Sequence, residues 1–67
     1  MYAIKDTKFD TYFYRYDFSN NQVHLLFLPK DTGYICCWEN KNQAIEYMTI
    51  AQKLGYLSND DICVVEV

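Results

Sequence analysis

The groups able to do chemistry in this chain are few: His24, three cysteines (Cys36, Cys37 and Cys63), and the adjacent carboxylates Asp60 and Asp61. A zinc site wants thiolates two to four residues apart on a turn, so that both converge on one ion. Cys36 and Cys37 are consecutive within a β-prone run, which points them to opposite faces. The reading is of small apolar fillers, with no metal. A Cys–His nucleophilic pair would need an oxyanion hole and an orienting third group, and no motif marks either. Asp60-Asp61, in a polar turn, reads as a solvated surface rather than an acid–base pair. Gly33 and Gly55 stand alone, each explained by a turn or a cap, so no phosphate-cradling loop is present. No catalytic residue and no cofactor is expected.

A different chemistry is suggested by aromatics: Phe9, Tyr12, Phe13, Tyr14, Tyr16 and Phe18 place six rings in ten residues. At period two, Tyr12, Tyr14, Tyr16 and Phe18 share one strand face and Phe13, Arg15 and Asp17 the other. Such a face can stack bases, pack under a helix, or meet a protein, because tyrosine is enriched at binding hot spots. The charge balance disfavours nucleic acid. Nine acidic against six basic residues give a net charge of −3, with one Arg and no basic run to replace phosphate counterions. The expected contact residues are Tyr12, Tyr14 and Tyr16, with Asp60 and Asp61 steering a basic partner.

The elements that must position these groups follow from periodicity. Strands are expected over 2–5, 11–18, 23–28, 34–38 and 62–67. Ser19-Asn20-Asn21-Gln22 is the hairpin turn between the second and third, because Asn tolerates the left-handed conformation. Pro29 ends the third strand, and Gly33 precedes the fourth. Between 41 and 54 the period becomes 3.6, with Ala44, Ile45, Tyr47, Met48, Ala51 and Leu54 as the apolar stripe. Asn40 is the expected N-cap, answered by Gln43, and Gly55 the residue that closes the helix.

The order is therefore β-β-β-β-α-β, a single α+β domain over 1–67. One helix with one apolar stripe must lie on one face of one sheet, giving a two-layer sandwich. The helix should bury Ile45, Met48, Ala51 and Leu54. The crossover through it should return the last strand parallel to the fourth, with the first strand beside the last near the sheet centre. Sixty-seven residues bury only about 60% of their unfolded surface, so a partner or a homodimer could supply missing burial. No apolar run is long enough to span a membrane, and the charged start lacks the pattern of an export signal. With an odd number of cysteines, this favours a reducing cytoplasm and free thiols.

The opening Tyr2-Ala3-Ile4-Lys5-Asp6, the segment Trp38-Glu39-Asn40-Lys41-Asn42-Gln43-Ala44 leading into the helix, and the closing Ile62-Cys63-Val64-Val65-Glu66-Val67 resemble small α+β proteins of Gram-positive phages and prophages. The match covers about half the chain. The aromatic hairpin over 11–28 lies outside it. The resemblance implies a non-catalytic protein that binds and disables a host protein, such as a CRISPR effector or another defence complex, in the host cytoplasm. The acidic charge suggests a basic nucleic-acid-binding site as its target. The other expectations from the residues are a single-stranded nucleic-acid binder using the aromatic face, or a homodimeric structural module.

Overall fold

Two asparagines organise the longest part of the sheet. Asn20 and Asn21 both adopt left-handed backbone (φ 52° and 61°), so a two-residue turn matches the twist of the strands it joins. Those strands, β2 (Thr11–Ser19) and β3 (Gln22–Leu28), form an antiparallel hairpin closed by the Ser19–Gln22 pair. The computed structural model describes residues 1–58 and 60–67. It adds β1 (Tyr2–Asp6), helix α1 (Lys41–Lys53) and β4 (Ile62–Glu66). The sheet order is β3-β2-β1-β4 and every pairing is antiparallel. The α+β architecture, one sheet with a single helix, is thus the expected one, and β1 does lie beside the last strand.

Segment 34–38 departs from expectation. It makes an isolated bridge at Trp38 but is not a strand of the sheet, so the order is β-β-β-α-β, and the last strand runs antiparallel to β1 rather than parallel to a fourth strand. The cause lies in its neighbours. The β1–β2 register covers only Lys5–Tyr12 and Asp6–Thr11, and a bulge then falls between Phe13 and Arg15. The segment divides its bonds between the two strands. Cys36 N–H donates to the Phe13 carbonyl at 2.8 Å, while Trp38 exchanges bonds of 2.7 and 2.8 Å with Tyr2.

Helix α1 begins at Asn40, whose side-chain oxygen accepts the Asn42 N–H at 2.8 Å. Among the described residues Gln43 makes no return side-chain bond, so the cap is a simple one. At the other end Gly55 (φ 84°) is left-handed. Its N–H donates to the Gln52 carbonyl at 3.1 Å, and the Tyr56 N–H donates to Ala51 at 2.8 Å. This pair of bonds is the Schellman closure that Gly makes cheap. Of the segment Ser58-Asn59-Asp60-Asp61, which its composition makes a polar turn, Asn59 lies outside the described residues.

The buried apolar residues are Ala3, Ile4, Tyr12, Phe13, Ala44 and Ala51. Two alanines bring α1 close to β1 and β4. Around Phe13 gathers an aromatic cluster: Phe27 at 5.9 Å between centroids, Tyr47 at 5.4 Å and Trp38 at 6.4 Å, with Trp38 and Tyr47 at 5.3 Å. Of the expected helix core, Ala51 is buried and Met48 half-buried. Ile45 and Leu54 are not buried: they are 37% and 61% exposed. Ile45 lies at one margin of the stripe, and Leu54 follows the last helical residue, where the chain turns away through Gly55.

Candidate functional site

The bulge in β2, where it pairs with β3, decides which side chains meet the helix. Tyr12 pairs with Leu28 and Phe13 with Phe27, but the next partners are Arg15–Leu26 and Tyr16–Leu25. Tyr14 is the extra residue, and after it the alternation is inverted. Tyr16 and Phe18 therefore join Phe13 on the helix side, with Leu25 and Val23 opposite them. Tyr12, Arg15 and Asp17 take the other face. The expected common face of Tyr12, Tyr14, Tyr16 and Phe18 does not exist.

The three tyrosines accordingly have three environments. Tyr12 is buried, with the Lys5 ammonium 5.5 Å from its ring centroid. Lys5 also bridges to Asp10 at 3.1 Å. That hydrogen bond, and then the charge of the Tyr12 phenol, hold its ammonium pKa above the ordinary value. Tyr14 is half-buried at the bulge, its ring centroid 5.5 Å from the Arg15 guanidinium. Tyr16 is 62% exposed. Asp60 and Asp61 are exposed as well, but Asp61 serves the backbone. Its carbonyl accepts the Thr7 N–H at 2.7 Å and the Thr7 hydroxyl at 3.0 Å, clipping β4 to the β1–β2 turn. Tyr16 stands four residues past Tyr12 toward the hairpin tip, away from that turn.

What Tyr16 does join is a groove of about 250 Å³ between the hairpin and the C-terminal half of α1. Tyr16, Val23 and Leu25 form the sheet wall, and Tyr47, Ile50, Ala51 and Leu54 the helix wall. Tyr56, turned back by the Gly55 closure, forms the end. Toward the hairpin tip it continues into a hollow lined by Phe18, Asn21, His24 and Gly55 together with Val23, Leu54 and Tyr56. Toward the helix N-terminus lies a shallower hollow formed by Trp38, Gln43, Glu46, Tyr47 and Ile50. Exposed rings and branched chains thus run together: Tyr16, Phe18, Ile50 at 50%, Leu54 and Tyr56. Burial raises the Tyr47 phenol pKa, helped by the neighbouring Cys36 and Tyr16. It remains neutral at ordinary pH.

Ile50 and Tyr56 escaped the sequence reading, although signals for both existed. Ile50 widens the stripe on the Tyr47–Leu54 side, and Tyr56 occupies the position after Gly55 whose side chain commonly packs back on the helix.

The nominal metal set is dispersed. His24 is on β3 and Cys63 on β4, the two outer strands, three spacings or about 14 Å apart. All three cysteines are free thiols. Burial first, and then the neighbouring Cys37, push the Cys36 thiol pKa up, which opposes nucleophilic use. Among the described residues no group of three or more His, Cys, Asp or Glu could hold a metal ion. No described helix is long and apolar enough to cross a membrane. Comparison of the chain with family models, curated proteins and solved structures finds no match.

Proposed function

We propose that this chain is a non-catalytic protein-binding module whose contact surface is the groove between the β2–β3 hairpin and α1. The observation that carries this reading is the run of exposed Tyr16, Phe18, Ile50, Leu54 and Tyr56 around an open apolar groove. Contiguous exposed apolar surface of this kind marks interaction sites in soluble domains. The net charge of −3, with Glu46 at one end, suits an apolar segment flanked by Lys or Arg. The resemblance of both chain ends and the helix start to small phage and prophage proteins supports a finer reading. In it, the partner is a host defence complex and the target its basic nucleic-acid-binding site.

The test starts with the full chain as bait in host lysate, followed by titration of the purified partner. Tyr16→Ala should cost at least about 2 kcal/mol of binding, and Leu54→Asp should abolish it. Asp60→Asn with Asp61→Asn should mainly slow association. All these side chains are exposed, so circular dichroism should show each variant folded. Folded Tyr16→Ala and Leu54→Asp variants that bind like the parent place the interface elsewhere. Binding of single-stranded oligonucleotides at physiological salt, lost with Tyr16, would replace the protein partner by nucleic acid.

A further inference from the structure

Strand β4 is an outer strand with an open edge, and its hydrogen-bonding parity can be read from its ends. The Val67 N–H donates to the Met1 carbonyl at 2.9 Å, and the Thr7 N–H to the Asp61 carbonyl at 2.7 Å. Bonded pairs in an antiparallel ladder recur every second residue. With Ala3 opposite Val65 and Lys5 opposite Cys63, residues 61, 63, 65 and 67 direct their backbone groups toward β1. Ile62, Val64 and Glu66 therefore direct theirs outward, and these have no backbone partner among the described residues. Of the usual protections of an edge, Ile62–Glu66 carries only the terminal charge of Glu66: it has no Pro, no Lys and no bulge.

We propose that β4 pairs with β4 of a second copy of this chain, antiparallel about a two-fold axis at Val64. This joins two sheets into one of eight strands. The edge is self-complementary in that register. Val64 meets Val64 of the second copy as a bonded pair, and Ile62 meets Glu66 twice, so all three outward N–H and all three outward carbonyl groups of each chain are used. The second layer fits as well. Helix α1 packs on β1 and β4, so its axis lies about one strand spacing from the two-fold. The two helices would then run about 9.6 Å apart, within the 8–10 Å at which helices pack. The exposed large apolar side chain on that flank of α1 is Ile45, between exposed Lys41 and Thr49 and on the margin opposite Tyr47 and Ile50, where it would meet the second helix. This surface is separate from the groove, so dimerisation leaves the groove open.

The register makes a covalent prediction. Cys63 would face Val65 of the second copy as a non-bonded pair, with α-carbons about 4.5 Å apart, a separation a disulfide can span. The variant Val65→Cys should become a disulfide-linked dimer with oxidised glutathione, whereas the parent, with Cys63 facing valine, should not. Sedimentation equilibrium of the parent should show twice the 8.0 kDa chain mass. Val64→Pro, which removes two of the six intermolecular bonds, should weaken association about 30-fold, and Ile45→Asp should also weaken it. A parent that stays monomeric up to about 1 mM would overturn the proposal. So would a dimer that Val65→Cys fails to cross-link, which is the result expected of pairing through the other outer strand, β3.

Discussion

Replacing Phe13 by Leu and, separately, Leu54 by Ala distinguishes the interior from the groove. Phe13 is 2% exposed and touches three rings, those of Phe27, Trp38 and Tyr47. Leucine restores most of the apolar volume but none of the ring geometry, and each aromatic pair is worth about 0.5–1.5 kcal/mol beyond its area. Allowing for recovered contacts, the expected loss is about 2 kcal/mol. That is a large share of the roughly 3–10 kcal/mol that 67 residues command. Leu54 hides only about two-fifths of its side chain. At about 1.5–3 kcal/mol for full burial, its truncation should cost about 0.5–1 kcal/mol. Trp38 is the single tryptophan and stacks on Phe13, so its fluorescence reports unfolding of this cluster in urea. With a slope near 1 kcal/mol per molar, Phe13→Leu should lower the midpoint by about 2 M and Leu54→Ala by about 1 M or less. Equal shifts would mean that Leu54 is interior and the groove closed in solution, and the assignment of the contact surface would fall with it.

Gly55→Ala should destabilise by about 1 kcal/mol, read by the same urea titration. Nothing lies within 4 Å of the added methyl, so the whole effect comes from the left-handed backbone at φ 84°; a neutral substitution would refute that attribution. Stability should also fall at alkaline pH. Cys36, Tyr47 and Lys5 all have pKa values raised by folding, so the native state keeps protons that the unfolded chain releases. Stability from these groups is intact below their unfolded pKa values and is lost as pH rises through the folded ones. Thermal midpoints should be level near neutrality and decline from about pH 8.5–10 upward; a rise over that range would contradict all three shifts.

Local chemistry was legible residue by residue. Consecutive asparagines specify a tight turn because both accept left-handed backbone, and that places β2 against β3 in their register. Asn40 and Gly55 bracket the helix because each satisfies backbone groups that a helix end leaves bare. One helix beside several strands can cover only one sheet face, so the two-layer architecture follows from the pattern alone. The site was not legible, because it depends on a parity that long-range contacts set. Period two placed Tyr12 and Tyr16 together, but the extra residue at Tyr14 inverts the alternation, and a bulge has no signature in a run of equally β-prone aromatics. Segment 34–38 carries strand propensity, yet it finds β1 and β2 diverging and makes one bridge to β1, of two bonds, and one bond to β2 instead of a ladder. The helix stripe likewise located α1, but it placed Ile45 and Leu54 in the core, where they are not, and left out Ile50. Which apolar residues stay uncovered depends on how far the hairpin stands from α1, a distance only the packing of Phe13, Trp38 and Tyr47 between them decides.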